Sequence, residues 1–128
     1  MKDICMDCFA KFMAARIHSF GFALEGLVFA VKTEGNVRVH LVATLLVVAL
    51  GLGFGVSRVE WGVLIAAIGL VWLAEMLNTA LEILCDSVSP ERSNAIKRVK
   101  DVAAGGVLAA ALAAAGIGTL VFWPYFFS

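Results

Sequence analysis

From residue 39 onward the chain reads as three apolar runs parted by short polar breaks: about 39–56, 61–84 and 102–122. A bilayer's hydrocarbon core takes about 20 mainly apolar helical residues to cross, so each run predicts a transmembrane helix. Ahead of them, Phe9, Phe12, Met13, Arg16, Ile17, Phe20, Leu24, Leu27, Val28 and Val31 recur at helical spacing. Lys11, Arg16, His18, Glu25 and Lys32 interrupt them, which predicts an amphipathic helix on the membrane surface rather than a secretory signal. Gly51, Gly53 and Gly55 close the first run and point to tight helix packing or a loosened helix end. Ser57-Arg58-Val59-Glu60 reads as a tight connection, with Trp61 at an interfacial depth. Ser87 to Asp101 reads as a long polar connection with a turn or helix start at Ser89-Pro90-Glu91. In the third run Gly105, Gly106, Ala109, Ala110, Ala113 and Gly116 offer a small-residue surface, and Trp123-Pro124-Tyr125 ends it with interfacial aromatics.

Composition turns three candidate spans into a fold class. Of 128 residues, 62% are hydrophobic, and the mean hydropathy is +0.96. A water-soluble domain of this length could not hide that much apolar surface. The expectation is an all-α membrane protein: an N-terminal surface helix over 1–33 and a three-span core over 34–128. Formal net charge is zero, which removes the basic field that nucleic-acid binding needs. Cys5 and Cys8 have zinc-knuckle spacing, but Cys85, His18 and His40 lie too far along the chain to complete a four-ligand set. Lysine and arginine crowd the N-terminal segment and the second connection, whereas only Arg58 lies in the first and none follows the third run. The positive-inside rule then puts the N-terminus and the second connection in the cytoplasm.

Within the second run, Glu75, Asn78, Glu82 and Asp86 interrupt an otherwise apolar helix. At 100° per residue, Glu82 and Asp86 lie about 20° to either side of Glu75 and about 40° from each other, with Asn78 about 60° from Glu75, so all four share one stripe. Intramembrane carboxylates are costly and face a bundle interior or an aqueous cavity, where they mark function by default. Three helices shield such a stripe poorly, so oligomerisation is expected. Glu34, Asn36 and Arg38 stand where the surface helix meets span one, and Lys100 and Asp101 open span three. All converge on the cytoplasmic side. Glu34 and Glu82 together can hold Mg²⁺ in its usual way, with nucleotide phosphates and water completing the shell. Lys100 is a point charge for those phosphates. Glu75, about 10 Å deeper than Glu82, is a candidate general base at lipid head-group depth. These are the parts phosphoryl transfer asks for. Neither a Walker loop nor a kinase glycine loop is present, so such a site is unrelated to soluble kinases.

The blocks Glu34-Gly35-Asn36-Val37-Arg38-Val39-His40-Leu41, Glu60-Trp61, Glu75-Met76-Leu77-Asn78-Thr79-Ala80-Leu81-Glu82 with Asp86, and Lys100-Asp101-Val102-Ala103-Ala104-Gly105 together resemble the prokaryotic diacylglycerol kinase and undecaprenol kinase family, from about Phe20 to Pro124. The resemblance implies a homotrimer in the bacterial cytoplasmic membrane, with active sites shared between neighbouring subunits. It implies Mg²⁺ and ATP as cofactor and co-substrate and a membrane lipid alcohol as acceptor. By matching motifs, Glu75 is the proton acceptor and Glu34 and Glu82 are the metal ligands. Lys100, Asp101 and Asp86 are nucleotide contacts, with Glu91 and Arg92 nucleotide-proximal and Arg16 matching the family's basic residue on the surface helix. Asn78, Arg38 and Asn36 stand beside them, toward the substrate. The wording at Phe22–Leu27 and Asn36–His40 favours undecaprenol over diacylglycerol. A rival class is a small oligomeric proton or ion pathway along Glu75 and Glu82. A relay should continue across the bilayer, and the outer half of every span is apolar.

Overall fold

The structure, a computed structural model, describes the backbone of residues 2–88 and 93–127 and the side chains from Phe12 onward. Four helices follow one another: α1 (Lys2–Thr33), α2 (Gly35–Phe54), α3 (Arg58–Val88) and α4 (Asn94–Phe127). The chain falls into two compact units, residues 1–33 and 34–128. Each helix holds a stretch long and apolar enough to cross a membrane, α1 through Phe12–Thr33. Among the described residues span-compatible helices thus number four, one more than the apolar runs predict, because charges in α1 are spaced widely enough to leave an apolar window between them. Cys5 and Cys8 lie outside the described side chains.

In the first unit Arg16 stacks its guanidinium over the Phe12 ring, 4.8 Å from the centroid, a cation–π contact one turn apart. Phe12, Ile17, Phe20, Phe22 and Leu24 are all exposed within it.

The second unit is organised on α3. Its buried or half-buried positions Leu64, Ala67, Val71, Glu75, Asn78, Glu82 and Cys85 step by three and four residues, the seam of a helix packed along its length. α4 supplies the matching row through Val107, Ala110, Ala114, Ile117 and Val121. The two run antiparallel, since Tyr125 Oη donates to Glu60 Oε2 at 2.9 Å at one end and Lys100 Nζ to Asp86 Oδ1 at 2.6 Å at the other. The small-residue surface expected on α4 turns elsewhere. Of its six members only Ala110 is buried, and Cβ atoms added at Gly105, Gly106 or Gly116 would meet nothing within 4 Å. The α3 contact follows the three–four spacing instead, and the glycines fall off that row.

Helix ends depart from the apolar runs in an instructive way. Asn94 to Asp101, expected as connection, is helical, started by Ser93, whose Oγ accepts from Ile96 N at 3.2 Å. Pro124, beyond the expected span of about 102–122, lies inside α4. So close to a C-terminus the missing N–H costs one bond, and packing offsets it: Phe54 stacks with Tyr125 at 5.5 Å and meets Phe126 edge-on at 5.0 Å. Val56, Leu64 and Phe122 form the buried core of this end.

Both readings of the glycine triplet are realised. Gly51 is buried against Trp61, where a Cβ would come within 2.7 Å of the indole. Gly55 adopts φ 64° and caps α2 through its N–H to the Gly51 carbonyl, a left-handed cap that suits glycine. Beyond it Ser57 and Glu60 form a reciprocal capping box: Ser57 N donates to Glu60 Oε2 at 2.7 Å, and Glu60 N to Ser57 Oγ at 3.3 Å.

Candidate active site

The polar stripe of α3 opens into a cleft of about 340 Å³. α3 forms its floor with Glu75, Asn78 and Glu82; α2 contributes Asn36, Val39 and His40; α4 closes it with Ala104, Val107, Leu108 and Ala111. Glu75 is 2% exposed and Asn78 7%. They continue the buried row that Leu64, Ala67 and Val71 begin earlier on the same helix. Hydrophobic side chains would fill these positions at no desolvation cost, which makes the polar ones candidates for a functional site.

Hydrogen bonding inside the cleft is incomplete. Asn78 Nδ2 donates to Glu82 Oε1 at 2.9 Å, a pair set up by i,i+4 spacing. Glu75 Oε2 and Asn78 Oδ1 are buried without any partner. An orphaned carboxylate oxygen in a protein interior is uncommon, and one facing a cleft is poised for a donor from outside, such as a hydroxyl.

Of the remaining described residues singled out by the sequence, Asn36 alone lines this cleft. Glu34 immediately precedes α2 in extended geometry, φ −97° and ψ 122°, and its carboxylate caps no N–H of the helix. Arg38 is exposed and turns back, its Nε donating to the Glu34 carbonyl at 3.4 Å. Lys100 and Asp101 part company: Lys100 joins Asp86 across α4 and α3, while Asp101 accepts from Lys97 Nζ at 2.8 Å on its own helix. Lys100 is thus engaged rather than free, although its exposed partner makes the pair cheap to exchange. Arg16 lies in the other unit, against Phe12. Glu91 and Arg92 lie outside the described residues.

Among the described residues no three His, Cys, Asp or Glu side chains gather into a metal cage. A divalent ion would have to be completed by something brought in, which is how Mg²⁺ is commonly held: by one or two carboxylates plus substrate phosphates. Half-buried Glu82, with one oxygen tied to Asn78, has the chemistry for one such ligand.

One residue of the cleft escaped sequence reasoning. His40, one turn after Asn36 on the same face of α2, lines the polar cleft and also an adjoining apolar cleft of about 370 Å³. That second cleft lies between α2 and α4 over Ile68 and Val71 of α3, and alanines and glycine at 111, 114, 115 and 118 make room for it. His40 and Ala111 line both, so the two clefts adjoin. The available signal was the i,i+4 spacing from Asn36.

Comparison with known proteins shows the family. The family model described as prokaryotic diacylglycerol kinase matches residues 21–122. The undecaprenol kinase of Bacillus subtilis is 34% identical over 106 residues, covering 83% of this chain and 86% of its own. The diacylglycerol kinase of Escherichia coli K12 is 30% identical over 110 residues, covering 86% of this chain and 90% of its own. That of Synechocystis is 35% identical over 107 residues, covering 83% of this chain and 61% of its own. With a family model spanning most of its length and such relatives at this identity, the chain belongs to the prokaryotic diacylglycerol kinase family of lipid kinases.

Proposed function

We propose that the protein transfers the γ-phosphoryl group of Mg·ATP to the hydroxyl of a membrane lipid, with undecaprenol preferred over diacylglycerol. The observation that carries this reading is the buried, unpartnered Oε2 of Glu75 in a polar cleft that adjoins an apolar one through His40 and Ala111. A lipid alcohol has that shape: a single polar end on a hydrocarbon chain. Glu75 takes the hydroxyl proton as the acceptor oxygen bonds to the γ-phosphorus. The bond from that phosphorus to the β,γ-bridging oxygen breaks, and ADP leaves with the electron pair. Glu34 and Glu82 are the residues that would hold Mg²⁺, whose charge would neutralise the nucleotide phosphates. Asn78 orients Glu82. Lys100 exchanges Asp86 for phosphate, and Asp101, Asp86, Glu91, Arg92 and Arg16 belong to the nucleotide's surroundings, with Arg38 and Asn36 on the substrate side.

The preference for undecaprenol is supported by the wording of Phe22–Leu27 and Asn36–His40 and by likeness to the Bacillus undecaprenol kinase. We place α1 at the cytoplasmic surface, with the N-terminus and the α3–α4 connection facing the cytoplasm of a bacterium. A homotrimer with shared sites fits the apolar faces of α2 and α4, where Val42, Leu45, Leu46, Leu108 and Leu112 are all exposed in a single chain. A proton or ion pathway is disfavoured because the adjoining apolar cleft is lined by no acid or base other than His40.

The test is purified protein in mixed micelles with Mg·ATP, offered undecaprenol and diacylglycerol separately, with lipid phosphate measured. Undecaprenol phosphate should form faster. Glu75→Gln should abolish turnover while ATP still binds, and Glu82→Gln should raise the Mg²⁺ requirement or remove activity. Wild-type turnover in Glu75→Gln would refute the assignment of the base.

A further inference from the structure

Two tryptophans of α3 rest on α2. At the end remote from the carboxylates, Trp61 lies on the bare Cα of Gly51. Eleven residues on along α3 and seven back along α2, Trp72 Nε1 donates to Thr44 Oγ1 at 3.0 Å. Among the described residues this is the one side-chain hydrogen bond that joins α2 to α3. Thr44 Oγ1 in turn donates to the His40 carbonyl at 2.8 Å. The hydroxyl proton is therefore committed to its own helix, and its lone pairs are left for the indole.

The next turn on each helix carries the cleft. His40 is four residues before Thr44, Glu75 three residues after Trp72, and both line it. Glu75 Oε2 has no hydrogen bond to fix it, so the register of α2 on α3 decides where the carboxylate stands relative to the α2 wall. We infer that Thr44 and Trp72 are positioning residues for the phosphoryl transfer: their hydrogen bond sets that register one turn from Glu75. The inference rests on Glu75 being the proton acceptor.

Interhelical hydrogen bonds within membranes contribute little to folding on average. Thr44–Trp72 therefore does little for whether the chain folds and much for where α2 lies. With Gly51 and Trp61 as the pivot, loss of the bond frees the cleft-bearing half of α2 to swing. Displacing a reacting group by about 1 Å can cost on the order of a hundredfold in rate.

Thr44→Val keeps the shape and removes the hydroxyl, Thr44→Ser keeps the hydroxyl, and Trp72→Phe removes the donor. In the full-length protein, in undecaprenol-containing micelles, Thr44→Val and Trp72→Phe should each lower kcat about tenfold with the KM for Mg·ATP changed less than about twofold. Thr44→Ser should retain the wild-type values. Wild-type kcat in Thr44→Val, or an equal loss in Thr44→Ser, overturns the inference. So does a fall in yield and Tm with kcat per folded molecule unchanged, the mark of a purely structural contact. The indole ¹⁵N–¹H resonance of Trp72, assigned by its loss in Trp72→Phe, should move in Thr44→Val. An unmoved resonance refutes the bond itself, independently of any activity. A wild-type protein that phosphorylates no lipid alcohol removes the proposed function and the positioning role with it. A moved resonance in a fully active Thr44→Val removes the positioning role alone.

Discussion

Gly51 and Gly53 lie two residues apart in the same apolar helix, yet alanine at the two should act in opposite directions. A Cβ at Gly51 would stand 2.7 and 2.8 Å from two carbons of the Trp61 ring, whereas one at Gly53 would meet nothing within 4 Å. Both substitutions gain about 1 kcal/mol of helix propensity, because alanine loses less backbone freedom than glycine. At Gly51 the ring has to retreat by roughly 1 Å to reach ordinary carbon contact at about 3.5–4.0 Å. Trp61 is rigid and packed against the Val56, Leu64 and Phe122 core, so it has little room to do so. Overpacking of that kind costs about 1–3 kcal/mol. Gly53→Ala should therefore stabilise, Gly51→Ala should be neutral to destabilising, and the two should differ by about 1–3 kcal/mol, the overpacking cost alone. Thermal unfolding in one detergent, followed by tryptophan fluorescence at a fixed scan rate, measures the difference. Trp61→Phe completes a double-mutant cycle: with the smaller ring, Gly51→Ala should become as favourable as Gly53→Ala. Equal midpoints for the two alanine variants, or a Gly51 penalty that survives in Trp61→Phe, would refute the close approach.

Asn78→Leu removes a buried amide that is only half satisfied, so stability should hold within about 1 kcal/mol while Glu82 loses its donor; a Mg²⁺ activation curve shifted to higher concentration at unchanged Tm is the expected result. Tyr125→Phe keeps the ring stack on Phe54 and deletes the hydroxyl that reaches Glu60. It should lower Tm slightly and leave turnover alone, because it lies at the opposite end of α3 from the carboxylates; lost turnover at wild-type Tm would contradict that separation.

Apolar runs located α2, α3 and α4 but not their ends, for one physical reason. Hydropathy reports the part of a helix that meets hydrocarbon, and these helices continue into polar sequence, α2 and α4 at their N-terminal ends and α3 at both. Arg58 to Glu60 is helix because Ser57 and Glu60 satisfy each other's N–H groups, a Ser-x-x-Glu box readable in the chain but taken for a bare connection. Asn94 to Asp101 is helix behind the Ser93 cap. The α3 stripe was legible because periodicity alone places Glu75, Asn78 and Glu82 together, and the Asn78–Glu82 bond needs only i,i+4 spacing. Lys100 and Asp101 were grouped because they are sequence neighbours. Neighbours on a helix point about 100° apart, so one found Asp86 on α3 and the other Lys97 on α4. The Thr44–Trp72 bond spans 28 residues and depends on a register that no local pattern encodes.

The same seam on α3 explains both why the cleft exists and why one chain leaves it open. Toward Trp61 the positions facing α4 are Leu64, Ala67 and Val71, which are buried and apolar, so the cleft that adjoins there between α2 and α4 is apolar too. Toward Asp86 they are Glu75, Asn78 and Glu82, which α4 meets with Ala104, Val107, Leu108 and Ala111. Small and medium side chains opposite carboxylates neither pair with them nor fill the space, so the two helices stay in contact along one seam yet enclose a cleft at one end of it. That arrangement is poor as packing, since a buried carboxylate oxygen goes without a partner. It makes sense if the missing donor arrives from the bilayer along the apolar cleft that begins at His40, the side on which a lipid alcohol is dissolved and from which a water-borne substrate is excluded. Under the proposed function, the deficit in hydrogen bonding would be met by a hydroxyl on a hydrocarbon chain rather than by water alone.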